Sequence, residues 1–328
     1  MIAVFLCFCV SLLDLNPSEI EHLIKAGLEH AYVEGFDSAR FYFEEVVREQ
    51  PLNPTGYFFC AALIQLKMMD ECRLDEEKMY YEMMRKTVRL AEDILSEEDD
   101  RWARFYLANS YIYQAVYKGW RKDYFETFKL GIKGGRMMQE LVREDSLFFD
   151  AYLAAGTFEY FWARASRYLP FLNIGGGDVQ SALRKLHLAA DKSRYSGPTA
   201  RNSLAFIYGE EGEYEKAAAI VESLRAEYPA SKTFLWSEAD LEFKRRDYRS
   251  AADLYEDLYQ RYDALANKNY ANLAQCRLYV GKCLAELGEK DGARAHLKEV
   301  IRFKEHSGRY PQIKEYMREA YTLLNRLL

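Results

Sequence analysis

The sequence predicts an all-α protein, a right-handed α-solenoid of about seven helical hairpins followed by a carboxyl-terminal capping helix. Its 328 residues are 49% hydrophobic and 29% charged, with 7 prolines and 18 glycines, so a continuous core is expected and disorder is not. Apolar residues recur at helical spacing, as they do in 101–117. Alternating strand patterns bounded by turns are not found, which disfavours an α/β enzyme fold.

An internal repeat is clearest at 198–262. A shift of about 34 residues places Ala239 on Ala205 and Tyr248 on Tyr214. Small residues let the two helices of a hairpin approach closely, and the proline that closes the unit ends its second helix. The first unit is carried by Leu204, Ala205, Tyr208, Gly212, Tyr214, Ala217, Val221, Leu224 and Pro229.

These residues resemble the signature of the tetratricopeptide repeat family, and we expect a bacterial member. The resemblance covers most of 19–305; it is specific at 198–262 and loose at 55–193. It implies a solenoid in which the first helix of each hairpin lines a concave surface. It also implies a non-catalytic scaffold for protein–protein interaction or complex assembly.

Four segments follow from the spacing. They are an apolar leader at 1–18, irregular hairpins at 19–193, regular repeats at 194–305 and a capping helix at 306–328. The predicted hairpins cover 19–51, 55–94, 101–144, 148–193, 198–229, 232–262 and 270–305, and the last helix covers 310–328.

The middle hairpins depart from the regular pattern. Their second helices, near 122–144 and 178–192, are predicted to follow long connections. Asp37 and Asp178 stand at the expected starts of second helices, where a carboxylate can cap free amide groups. The three glycines at 175–177 are interpreted as a flexible turn capped by Asp178, because no strand precedes them and no phosphate-loop pattern is present.

Residues 1–13 form an uncharged apolar run that is too short to span a bilayer. The run resembles the hydrophobic part of a secretory signal, although no Lys or Arg precedes it and no A-x-A site follows. We therefore expect an exported, periplasmic protein that is not integral to the membrane once the leader is removed. The alternatives are a first helix packed on the array and a cytoplasmic protein.

Charge and reactive residues predict no catalysis, cofactor or metal. The net charge of −6 without a basic stripe disfavours nucleic acid. The six cysteines form no CxxC pair, and Cys276 and Cys283 are interpreted as buried free thiols. His22 and His30 are eight residues apart, which does not match metal-ligand spacing on a helix. No nucleophile stands with a base.

Aromatic residues reach 15% of the chain, with 26 tyrosines, so they can fill both the core and a recognition groove. The alternative for each ring is packing between helices. We predict a groove that binds a protein or peptide; the alternative is a periplasmic component associated with solute transport that binds a small apolar ligand. The predicted groove residues are Phe105, Asn109, Tyr113, Thr157, Tyr160, Phe161, Phe206, Trp236 and Asp240.

Co-chaperone members of the family hold a terminal carboxylate in a clamp of Lys, Asn and Arg. The corresponding positions here hold Asn202, Phe206, Ser237 and Asp240, so that clamp is missing. A co-chaperone function is therefore disfavoured.

Overall fold

The computed structural model describes residues 17–168 and 178–327, and this part of the chain contains α-helices and no strand. A 3₁₀ turn at Phe303–His306 precedes the last helix. The helices are α1 (Pro17–Tyr32), α2 (Phe36–Glu49), α3 (Pro54–Glu71), α4 (Glu77–Glu97), α5 (Arg101–Trp120), α6 (Tyr124–Glu144), α7 (Ala151–Tyr168), α8 (Val179–Lys192), α9 (Gly197–Glu210), α10 (Tyr214–Glu227), α11 (Lys232–Arg245), α12 (Tyr248–Asp263), α13 (Tyr270–Glu286), α14 (Lys290–Arg302) and α15 (Gln312–Arg326).

Consecutive helices pack as hairpins, and α15 covers α13 and α14 at the end of the stack. The predicted fold class, an all-α solenoid of seven hairpins with a capping helix, is confirmed for the described residues. Side chains that repeat along the array form its core: Ala205, Ala217, Ala239 and Ala251 are all almost completely buried. Within the described residues, no helix has the length and apolar character needed to cross a membrane.

The long connection predicted between α5 and α6 is wrong. Only residues 121–123 separate these helices, because α5 and α6 are themselves long, with 20 and 21 residues against 14 in α9. The irregular middle is thus built from longer helices. The second predicted connection, including the glycine turn, falls largely on 169–177, and the leader falls largely on 1–16; both stretches lie outside the described residues.

The two capping predictions have different outcomes. Asp178 does cap α8, since its carboxylate accepts a hydrogen bond from the Ser181 amide at 2.6 Å. Asp37 is not a cap, because α2 begins one residue earlier and Gly35 occupies the capping position. Asp37 instead lies in the first helical turn, where a negative charge favours the helix dipole. The free thiols of Cys276 and Cys283 are buried, as predicted.

The first hairpins also contact the last ones. The turn after α1 lies against the start of α11, where Glu34 accepts hydrogen bonds from the amides of Lys232 and Thr233, each at 2.9 Å. Asp70, near the end of α3, accepts one from the Tyr262 hydroxyl at 2.9 Å. We call these five residues the seam. The seam closes the array on itself.

The charged side chains of the seam are largely buried. The side chain of Glu34 is 2% exposed and that of Asp70 is 14% exposed, and the ammonium of Lys232 lies 3.4 Å and 3.7 Å from their carboxylates. Burial raises the pKa of Asp70, and the nearby Lys232 opposes that shift. One cation therefore faces two carboxylates in a poorly solvated place.

Candidate functional site

First helices of three successive hairpins, α7, α9 and α11, form an open depression of about 270 Å³. It lies in the part of the molecule where the sequence predicted a concave surface. Open depressions of this kind give access to a chain segment longer than the depression itself. The lining residues are Thr157, Phe161, Asn202, Ser203, Phe206, Ile207 and Ser237.

Two exposed aromatic rings dominate the depression. Phe161 is 53% exposed and Phe206 is 46% exposed, and their ring centroids are 6.4 Å apart. Leu204 and Ala205 of the same helix are buried, so Phe206 occupies the face of α9 that points away from the hairpin core. The ammonium of Lys244 lies 5.0 Å from the Phe206 ring centroid. Exposed phenylalanines in this arrangement favour contact with an apolar group.

Polar groups lie beside these rings, one repeat apart. The Ser237 hydroxyl donates a hydrogen bond to the side-chain oxygen of Asn202 at 2.8 Å. The amide nitrogen of Asn202 makes no hydrogen bond to the described part of the chain, so its two N–H groups are available to a ligand. Thr157 and Ser203 add hydroxyl groups to the wall.

An ionic network borders the depression. The Glu210 carboxylate accepts hydrogen bonds from Lys244 at 2.5 Å and Arg164 at 2.7 Å. The hydrogen bond from Lys244 is the main cause that lowers the pKa of Glu210, and burial opposes it. Arg164 also donates to the Tyr160 hydroxyl at 2.8 Å. The network holds α7, α9 and α11 at fixed positions beneath the exposed rings.

The structure brings together only part of the predicted groove. Thr157, Phe161 and Phe206 line the depression, whereas Tyr160 is completely buried and only its hydroxyl reaches the ionic network. The position of Tyr160 in the repeat pattern places it on a first helix. The pattern does not reveal that a neighbouring helix covers it.

Three predicted groove residues of α5 lie in the packing between helices. Phe105 is 9% exposed and packs against Trp102 and Phe148, with ring centroids 5.4 Å and 5.5 Å away. The buried Asn109 donates to the Phe105 carbonyl at 3.2 Å. Tyr113 packs edge-on against another ring of the core, that of Phe58 in α3. These three residues pack between helices because α3 and the turn after α6 cover this face of α5.

Trp236 and Asp240 lie on α11, outside the depression. The Trp236 indole donates to the Tyr262 hydroxyl at 3.1 Å, which connects it to the seam. Asp240 remains solvent-accessible but accepts a hydrogen bond from the Tyr255 hydroxyl at 2.7 Å. Partial desolvation by the surrounding helices raises the pKa of Asp240, and the hydrogen bond from Tyr255 opposes this shift.

Four lining residues were not predicted: Asn202, Ser203, Ile207 and Ser237. Asn202 and Ser237 stand 35 residues apart, one more than the 34-residue period, so the spacing contained an approximate signal for this pair. Within the described residues, no three side chains of His, Cys, Asp or Glu gather closely enough to hold a metal ion.

Comparisons with known proteins agree with this architecture. A family model for the tetratricopeptide repeat matches residues 275–302, which lie in α13 and α14. No curated protein matches the chain. The chain thus contains a tetratricopeptide repeat motif at 275–302, and its described residues have the fold of a helical-repeat solenoid. The recognised repeat is not one of the two at 198–262 that the sequence pattern favoured.

Several solved structures are similar. A signal transduction ATPase with numerous domains and a tetratricopeptide repeat sensor, from Pyrococcus horikoshii, has 14% identity and a TM-score of 0.53, and the match covers 95% of this chain and 46% of that one. A tetratricopeptide repeat protein from Parabacteroides merdae has 16% identity and a TM-score of 0.44, with 93% and 99% covered. Yeast Tom70 has 11% identity and a TM-score of 0.36, with 94% and 83% covered. At 14% identity, the similarity to the Pyrococcus horikoshii protein shows a shared fold and nothing about function.

Proposed function

We propose that this protein is a non-catalytic scaffold that binds a partner protein through an extended peptide segment lying across α7, α9 and α11. The observation that carries the proposal is the exposed pair of Phe161 and Phe206 beside the free amide of Asn202. The rings can hold an apolar side chain, and the amide can bind a peptide carbonyl. The fold supports a helical-repeat scaffold, and the use of this groove is our proposal.

The open shape favours a peptide over the small apolar solute of the alternative hypothesis. Pockets for small apolar ligands bury most of the ligand surface, whereas this depression leaves two large rings about half exposed. Export is proposed on residues 1–13 alone, and amino-terminal sequencing of the mature protein tests it.

The proposal is tested by selecting peptides from a random display library on the full chain and measuring their affinities by calorimetry. We expect selected peptides to share an aromatic or aliphatic anchor. Phe206→Ala should weaken them by at least about tenfold, as expected for a central aromatic contact. Phe125→Ala is the matched control, because Phe125 is 78% exposed on α6 and lies outside the depression.

The control variant should change affinity by less than about twofold. Equal losses in the two variants would show binding to exposed aromatic surface in general. A peptide that binds equally well to Phe206→Ala and the unmodified chain would place the interaction elsewhere. A bound apolar solute that protects Phe206 from solvent would favour the alternative.

A further inference from the structure

We propose a second binding site, a cationic cavity next to the seam that binds a small phosphate-bearing molecule. The cavity has a volume of about 320 Å³ and is formed by three distant parts of the chain. Arg73 comes from the turn after α3, and residues 266–268 and Tyr270 come from the connection between α12 and α13 and the start of α13. The third part is the segment before α15, with His306, Arg309 and Tyr310. This site goes beyond the proposed scaffold function and does not rest on it.

The cavity wall contains no carboxylate. Its ionisable groups are Arg73, Lys268, His306, Arg309 and two tyrosines. The acidic partners of these groups lie off the wall. Glu305, which pairs with His306, is 78% exposed, and Glu71, 4.0 Å from Arg73, is 29% exposed. Asp75, which pairs with Arg73, is 59% exposed, and Asp263, which pairs with Lys268, is 42% exposed. Exposed ion pairs are weak, so an anion inside the cavity can compete with both.

Two arginines give the site its specificity. Arg309 is exposed and forms no ion pair within residues 17–168 and 178–327. Arg73 has a buried Nε that lacks a hydrogen-bond partner, although its terminal nitrogens face Asp75 and, at 4.0 Å, Glu71. Guanidinium groups bind the oxygens of a phosphate through paired N–H donors, as they bind a carboxylate. A phosphate group also carries a charge of about −2, which matches a wall with several cations better than a single carboxylate does. The free donors and the excess of positive charge therefore point to a phosphate.

The size of the cavity limits the ligand. A volume of about 320 Å³ is at the lower end for small-molecule sites and suits a phosphate with a compact body. The His306 ring stacks on Tyr270 at a centroid distance of 3.5 Å, and the Tyr310 hydroxyl donates to the Lys268 carbonyl at 3.2 Å. These contacts fix the wall before a ligand enters. A bound anion would connect the turn after α3 to the last repeat.

The test is a calorimetric titration of the full chain with pyrophosphate as the probe, at constant ionic strength. We expect saturable binding of one pyrophosphate per chain. Arg309→Ala should weaken it by about tenfold or more, because it removes one guanidinium from the wall. Arg136→Ala is the control, since Arg136 is another exposed arginine without an ion pair in the described part of the chain. It should change affinity by less than about twofold.

Thermal unfolding provides a second measurement. Pyrophosphate should raise the Tm of the unmodified chain and of Arg136→Ala by the same amount, and it should raise the Tm of Arg309→Ala clearly less at the same concentration. Equal loss of binding in both variants would overturn the site in favour of general charge attraction. Absence of saturable binding would overturn it outright. Tighter binding of citrate than of pyrophosphate would overturn the assignment to phosphate.

Discussion

The regular repeats and the first hairpins are built from the same helical unit but are held by different contacts. Between α9 and α11, hydrogen bonds join residues one repeat apart, such as Asn202 with Ser237 and Glu210 with Lys244. In the first hairpins, Glu34 and Asp70 bind residues 199 and 192 positions away. The first kind of contact recurs along the chain, and the second occurs at one seam.

The two kinds of contact should affect the unfolding of the array differently. A solenoid with nearest-neighbour contacts alone is stabilised by the sum of its repeats and their interfaces. The seam adds a contact between the two ends, which forms only when the intervening repeats are in place. It should therefore make unfolding more cooperative than the repeats alone would.

The largest expected effect comes from breaking the seam with Glu34→Ala. The substitution removes the acceptor for the amides of Lys232 and Thr233 and leaves the Lys232 ammonium without one of its two carboxylates. Glu34 has φ +52°, a strain that alanine shares, so backbone conformation does not confound the comparison. We expect the free energy of unfolding to fall by about 3 kcal/mol, measured by urea denaturation.

Glu215→Ala is the control for the seam. Glu215 is 86% exposed and pairs with Arg245 at the surface of the regular repeats, so its removal should cost less than about 0.5 kcal/mol. Glu34→Ala should also split the urea transition, with the first hairpins unfolding earlier. If Glu34→Ala matched its control in stability and cooperativity, the seam would have no energetic role.

The same comparison explains what the sequence could predict. Helix positions follow from local periodicity, so the predicted helix at 178–192 agrees with the observed α8 to within one residue. The phase of the repeat also placed Phe161 and Phe206 on one surface. Phase gives the direction of a side chain along its helix and not what covers it, which is why Tyr160 was assigned to the groove although it is buried.

The seam could not be predicted by such reasoning. Its partners are almost 200 residues apart, and no period relates Glu34 to Thr233 or Asp70 to Tyr262. The carboxylate of Glu34 caps a helix that is remote in sequence, whereas capping signals in a sequence are local. The cavity next to the seam was missed for the same reason, because its cations come from three segments.

The second prediction concerns the irregular middle, where long helices cross closely. A Cβ atom on Gly134 would lie 2.6 Å from the Ala108 carbonyl oxygen, so Gly134→Ala must push α6 away from α5. We expect the free energy of unfolding, measured by urea denaturation, to fall by about 2 kcal/mol. Gly131→Ala on the same helix is the control, since the nearest atom to its new Cβ is 3.8 Å away.

The control should stabilise α6 by up to about 1 kcal/mol, because alanine favours a helix more than glycine does. Opposite signs for the two substitutions would show that helix contact, and not helix propensity, requires the glycine at 134. Stabilisation by both would show that the crossing of α5 and α6 relaxes at no cost.

The smallest expected effect is a dependence on pH that separates a seam carboxylate from a turn carboxylate. Burial raises the pKa of Asp70 above its ordinary value of 3.8, so the folded chain holds this proton more tightly than the unfolded chain. Its contribution to stability therefore declines as pH rises from the ordinary pKa through the folded pKa, and is constant above that. Asp70→Asn should remove this decline and can still accept the Tyr262 hydrogen bond.

Asp145 should behave in the opposite way. The amide of Leu147, together with Arg101, lowers the pKa of Asp145, so its contribution is present above the ordinary pKa and is lost as pH falls through the folded pKa. Urea denaturation of the unmodified chain, Asp70→Asn and Asp145→Asn across acidic to neutral pH measures both. The stability of Asp70→Asn relative to the unmodified chain should rise with pH, and that of Asp145→Asn should fall. Slopes of the same sign would mean that Lys232 compensates the buried charge of Asp70 completely, and the seam would then carry no electrostatic strain.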